Sequence, residues 1–161
     1  MTEAEDALAE LLGGLDRTMW ILTLAAEGER SGCLMGFATQ ASLDPPRFLA
    51  CVSRDNHTFR VARTAGFVAV HACPDEPDLV LARLFGEETG DEIDKFARCE
   101  WREGPEGQPV LDGAPAWFVG RVLDRLDLGD HVGLLLEPVA VEGELAGVLT
   151  FERAQDLDAA H

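Results

Sequence analysis

Short apolar and β-branched runs recur along this chain at 19–26, 32–39, 48–53 and 67–73, and again at 116–127, 131–141 and 145–151. Turn-forming residues separate several of them, at Glu27-Gly28, Asp44-Pro45-Pro46 and Leu128-Gly129-Asp130. Strands spaced this evenly, with few helices between them, predict a mainly β fold: an antiparallel barrel closed on itself, with peripheral helices. Leu134, Leu135 and Leu136 are consecutive in one run, so both faces of that strand are apolar, which favours self-association.

The helical segments are few and carry their own signals. At 2–15, Thr2 and Glu5 form a capping box, Leu8, Leu11, Leu12 and Leu15 make one stripe, and Gly13-Gly14 ends the helix. A second helix is expected at 56–65, capped by Asp55 or Asn56, and a third after Pro74 and Pro77, where Leu79, Ala82, Arg83 and Phe85 follow helical spacing. The polar, glycine-rich stretch 86–109 reads as an excursion loop. The expected organisation is a helix at 1–15, one barrel domain at 16–151 and a frayed polar tail at 152–161.

Charge narrows the partners. Thirty acidic against thirteen basic residues give a formal charge of -17, a field that repels nucleic acid and anionic membrane surfaces. The apolar stretch 19–26 is less than half a bilayer span and the first residues are acidic, so a cytoplasmic location is expected. Cys33, Cys51, Cys73 and Cys99 lack the close spacing of a zinc or dithiol site and read as reduced thiols, with no metal expected. Neither G-x-G-x-x-G nor G-x-x-x-x-G-K-[ST] occurs, so a nucleotide would have to bind by another geometry.

Gly36-Phe37-Ala38-Thr39-Gln40-Ala41-Ser42, followed by Leu43-Asp44-Pro45-Pro46, resembles a signature of the flavin reductase family. Asn56-His57-Thr58, Gly66-Phe67-Val68-Ala69-Val70-His71, Asp94-Lys95-Phe96, Gly107-Gln108-Pro109-Val110-Leu111 and Gly129-Asp130-His131 follow in that family's order, so the resemblance spans residues 16–143. It implies an FMN-binding split barrel with Greek-key-like antiparallel strands, assembled as a homodimer. It also implies bound FMN or FAD, reduced by NADH or NADPH, and in many members a separate monooxygenase as partner.

Residue chemistry assigns roles within that resemblance. Ala38 and Ala41 permit close approach to a flat ring, and Thr39, Gln40 and Ser42 can donate to its carbonyls, although the family usually has threonine or serine where this chain has Ala38 and Gln40. Ser53, Arg54, Asn56, His57, Thr58, Arg60 and Arg63 gather phosphate-binding groups beside a helix start. His131 is the candidate catalytic residue, with Asp130 setting its tautomer. His71, where the family often has asparagine, and Phe96, beside the chain's only lysine, Lys95, are further cofactor candidates. The expected activity is hydride transfer from nicotinamide to flavin. The alternatives are a non-enzymatic FMN carrier or sensor and a split-barrel oxidoreductase using a deazaflavin; heme is disfavoured because no histidine lies in an axial-ligand motif.

Overall fold

A computed structural model describes residues 1–88 and 93–157. Helix α1 (Glu3–Gly13) precedes β1 (Trp20–Ala26), β2 (Glu29–Met35), β3 (Ala38–Leu43) and β4 (Pro46–Ser53). Then come α2 (His57–Ala62), β5 (Phe67–Ala72), α3 (Val80–Glu87), β6 (Trp101–Glu103), β7 (Pro109–Leu111), β8 (Ala116–Asp127), β9 (His131–Gly143) and α4 (Phe151–Ala154). The capping box of α1 forms as expected, Thr2 Oγ1 accepting from Glu5 N and Thr2 N donating to Glu5 Oε2. No residue of α1 is buried.

One antiparallel sheet runs β2-β1-β5-β8-β9-β4-β3, and β6 pairs with β7 in a separate ribbon. The barrel is therefore not closed by strand pairing: among the described residues β2 and β3 remain the two edges. The reason lies in the run at 32–39, expected as one strand. It breaks at Gly36-Phe37, its first half pairing with β1 and its second with β4. The chain thus steps from one sheet edge to the other, where Phe37 O accepts from Cys51 N at 2.9 Å. A seam results, and a cavity with apolar walls and several polar groups opens along it.

Both faces of β1 are covered, which explains its unbroken apolar run. Leu22 and Leu24 point into the barrel with Val52, Val68, Val70, Leu134 and Leu136. Ile21 points outward to a second core with Leu81, Phe85, Phe96, Leu111 and Leu149. Alternate residues facing opposite sides is the strand's own geometry; burying both is the tertiary contribution.

Three expectations change. Residues 86–109 are not a structureless excursion: within the described part, Lys95–Arg98 forms a 3-10 turn and β6 folds onto β7. Residues 145–151 do not form a strand; only Thr18 with Thr150 and Pro74 with Val148 make bridges, and Phe151 begins a helix. The tail is held as far as Leu157, because Phe151 N donates to Arg17 O, Met19 N donates to Leu149 O and Ala154 is buried. Residues 158–161 lie outside the described residues.

Lys95 is buried, its Nζ donating to Gly32 O at 3.0 Å and Phe85 O at 3.2 Å. Phe85 lies in the last turn of α3, whose carbonyls lack helical partners, so the ammonium caps the helix and ties it to β2. Burial lowers its pKa below the ordinary lysine range. Replacing Lys95 with Met keeps the stem but leaves these carbonyls without their donor, and should lower unfolding free energy by about 2–4 kcal/mol. Urea denaturation checks this, and a loss under about 0.5 kcal/mol would contradict the capping role.

Candidate active site

The seam cavity encloses about 280 Å³. Its apolar wall comes from the ends of β1 and β2 and from α3, through Met19, Met35 and Phe85. Its rim carries Phe37, Ser53, Asn56 and His131, and its far side is Arg17 with Phe151 and Gln155. The ladder between β4 and β9 sets Ser53 opposite His131, so two sequence-predicted residues meet at the mouth because of strand register.

His131 follows a turn in which Gly129 takes φ 115, a conformation open to glycine. Its Nδ1 lies 2.7 Å from Asp130 Oδ1, and the Phe37 ring stands 4.9 Å away between centroids. The same bond holds the Asp130 carboxyl below its ordinary pKa. Since a carboxylate only accepts, Nδ1 carries the proton, and Nε2 is the nitrogen left for a ligand. Asn56 lines the cavity while its Oδ1 caps α2 by accepting from Thr58 N at 2.9 Å.

Arg63 is exposed and does not line the cavity, and the rest of the expected phosphate cluster is engaged elsewhere. Arg54 donates through Nε to Gly129 O at 2.7 Å and through Nη2 to Asp127 Oδ1 at 2.6 Å, so it braces the hairpin. His57 Nε2 pairs with Glu29 Oε1 at 2.8 Å and its Nδ1 with Arg60 Nη2 at 2.9 Å. Thr58 is fully buried and shares a 2.8 Å hydrogen bond with Ser31. None of Arg54, His57, Thr58 and Arg60 lines the cavity.

Two further candidates are core residues. His71 is fully buried between sheet layers, with Nδ1 3.1 Å from Ile21 O and Nε2 accepting from Leu111 N at 3.0 Å. Both nitrogens are used, so the ring is a neutral bracket between strands and does not reach the cavity. Burial pushes its pKa down to about 4. Phe96 is buried edge-on between Phe85 and Trp101, at 5.8 and 5.5 Å, because the 3-10 turn folds its side chain inward.

Ala38, Thr39 and Gln40 line a different and more open groove of about 450 Å³, backed by Trp20, Phe48 and Phe118. The aromatic rings meet edge to face at 5.5 and 5.1 Å. Ala41 is exposed and Ser42 half-buried, its carbonyl accepting from Gln40 Nε2 at 3.4 Å. The expected ring-binding motif is thus divided, with Gly36 and Phe37 at the cavity and 38–40 at the groove. Despite its smaller volume the cavity is the better candidate site, because polar groups converge on it.

Arg17, absent from the sequence-based set, is the clearest of these. Its guanidinium carbon lies 3.9 Å from the Phe151 ring centroid and 5.3 Å from that of Phe37. Its Nε is buried without a hydrogen-bond acceptor. The sequence carried one signal for it: Arg17 is the first basic residue of the chain, three places ahead of the start of the first strand. Cys33 and Cys51 also line the cavity, but burial raises both thiols, Cys33 to about 11. Neither is a thiolate nucleophile at neutral pH. Among the described residues no cluster of His, Cys, Asp or Glu can hold a metal ion, and no helix is long and apolar enough to cross a membrane.

Comparison with known proteins gives a consistent picture. The family model described as flavin reductase like domain matches residues 12–155. A protein of Rhizobium meliloti (strain 1021) named "Probable flavin reductase" is 27% identical over 148 residues, covering 91% of this chain but only 46% of its own length. The 4-hydroxyphenylacetate 3-monooxygenase reductase component of Pseudomonas aeruginosa is 26% identical, covering 93% of this chain and 89% of that protein. The FMN reductase (NADH) RutF of Methylorubrum extorquens (strain DSM 6343 / CIP 106787 / DM4) is 29% identical, with 91% and 72% covered. Among solved structures, an FMN-binding protein from Thermus thermophilus with bound 1-cyclohex-2-enone superposes with a TM-score of 0.74 at 25% identity, covering 81% of this chain and 72% of that one.

Proposed function

Because this chain belongs to the flavin reductase like domain family, we propose that it binds FMN or FAD in the seam cavity and reduces it with NADH or NADPH. The observation that carries this reading is the make-up of the cavity: apolar walls from Met19, Met35 and Phe85, a polar rim at Ser53, Asn56 and His131, and an unpaired Arg17 Nε. Such a donor set fits a planar, anionic ligand, which needs apolar faces and a few directed polar groups. The relative named FMN reductase (NADH) supports FMN and NADH, and the one named monooxygenase reductase component supports a monooxygenase as acceptor partner.

A bound flavin supplies the two-electron acceptor chemistry. What the chain does is bind and orient. Met35 and Phe85 would keep water from the faces of a bound ring, and Ser53 and Asn56 would hold its polar groups. His131, its proton fixed on Nδ1 by Asp130, offers Nε2 to an amide N–H of either ring system. Phe37 packs beside it and limits water access. No general acid is needed, since hydride transfer depends on contact between two rings and on stabilising the charge that grows in one of them.

The reading includes a cytoplasmic homodimer. Leu43 is 82% and Val141 74% exposed, and Val141 borders the aromatic groove of Trp20, Phe48 and Phe118, an apolar area suited to a second copy. Sedimentation equilibrium at twice the monomer mass is the expected result. The activity is tested by mixing the pure protein with FMN or FAD and NADH or NADPH. Nucleotide consumption well above the flavin-only rate is expected; no excess with either nucleotide would leave a flavin-binding carrier and overturn the reductase reading.

A further inference from the structure

Resting on the flavin-binding reading, we infer that Arg17 is the residue that recognises the anionic phosphate oxygens of the bound nucleotide. A chain with a charge of -17 disfavours a phosphorylated ligand unless a local cation offsets the field. Of the arginines expected to do so, Arg54 is committed to Asp127 and Gly129 and Arg60 to His57, while Arg63 is exposed and does not line the cavity. Arg17 is the one Lys or Arg among the described residues that lines the cavity. It forms no hydrogen bond or ion pair there through its side chain; it lies against the faces of Phe151 and Phe37 and interacts electrostatically with the neighbouring Asp16 carboxylate.

This arrangement prepares the side chain for an anion. Stacking on Phe151 at 3.9 Å fixes the guanidinium plane and leaves its N–H edge for a ligand. The backbone on either side is pinned, since Asp16 Oδ1 accepts from Glu152 N at 2.9 Å and Arg17 O accepts from Phe151 N at 2.7 Å. A buried Nε–H without an acceptor is a cost that a phosphate oxygen removes, and Nε with one Nη presents the fork that phosphate takes bidentately. The oxygens can belong to the flavin or to the pyridine nucleotide.

Calorimetric titration of the full chain and of Arg17→Met, with riboflavin, FMN and, on flavin-loaded protein, NAD+, separates the sources. Arg17→Met should weaken FMN roughly ten- to a hundred-fold while leaving riboflavin within about two-fold; a selective loss of NAD+ instead would assign the pyridine nucleotide. Parallel loss of riboflavin and FMN, or no loss for any ligand, overturns the assignment and leaves Arg17 a packing residue. If Arg17→Met does not fold, by circular dichroism, Arg17→Lys keeps the charge and removes the Nε donor. A selective loss of about three-fold or more in that variant supports the assignment, and unchanged selectivity overturns it. Failure of the unaltered chain to take up riboflavin or FMN is a separate outcome, which refutes the flavin reading and this assignment with it.

Discussion

Acidification from pH 6.5 to 4 should cost this fold about 3 kcal/mol through His71 alone. The unfolded imidazole titrates near 6.5, whereas burial holds the folded one at about 4, and each pKa unit is worth ~1.4 kcal/mol. Between those values the unfolded chain binds a proton that the folded chain does not, so stability is complete above pH 6.5 and falls as pH drops. The structural cause is that Nε2 accepts from Leu111 N and Nδ1 faces Ile21 O; protonating Nε2 would set two donors against each other. His71→Gln retains an acceptor of similar reach, does not titrate and loses one bond, costing about 1–2 kcal/mol at pH 7. Urea midpoints measured against pH should therefore converge and cross between about pH 6 and 5, leaving His71→Gln the more stable protein by about 1–2 kcal/mol at pH 4. A constant difference across that range would mean that His71 is not the buried neutral bracket described. The carboxylates titrate in both proteins, so their contribution cancels in the difference.

Replacing Gly36 with Leu should weaken flavin binding by about a hundred-fold or more while leaving the fold intact. Gly36 has no positive φ, and a Cβ there would meet Arg17 Nε at 3.4 Å and Met19 at 3.5 Å, ordinary contact distances, so Gly36→Ala should bind flavin within a few-fold of the unaltered chain. A leucine's remaining carbons have to enter the 280 Å³ cavity and exclude a ring edge, and loss of most stacking contact accounts for the predicted weakening. Fluorescence titration with FMN, alongside thermal midpoints for both variants, measures this. Undiminished affinity in a folded Gly36→Leu would move the flavin away from the seam and towards the groove beside Ala38, Thr39 and Gln40.

Local features of the sequence were read correctly where the physics is local. The capping box at Thr2 and Glu5, the Asn56 cap, the turns at Glu27-Gly28 and around Gly129, and the long hairpin of β8 and β9 all depend on neighbours within a few residues. The family resemblance likewise placed the barrel, and of the candidate residues Ser53, Asn56 and His131 line the seam cavity. The run at 32–39 misled because periodicity shows that a segment is extended, not which partner each half pairs with. The run at 145–151 misled similarly: it is apolar because Leu149 and Phe151 pack on the second core, without being hydrogen-bonded as a strand.

Individual site residues depended on information the sequence does not carry. Arg54, His57 and Arg60 look like a phosphate cluster along the chain, but Asp127 and Gly129 reach Arg54 and Glu29 reaches His57 from segments distant in sequence, and His57 in turn holds Arg60. Arg17 had only its place as the first basic residue to recommend it; its surroundings arise because the C-terminal segment, more than a hundred residues later, returns to stack Phe151 on it. Composition, turn chemistry and motif order therefore determined the kind of fold, its anionic character and the flavin reductase resemblance, since each is a property of residues taken singly or in short register. Only the tertiary structure decided which cations stay available to a ligand, which histidine is neutral and buried, and which glycine faces a cavity, because hydrogen-bond pairing and desolvation are settled between segments that meet only on folding.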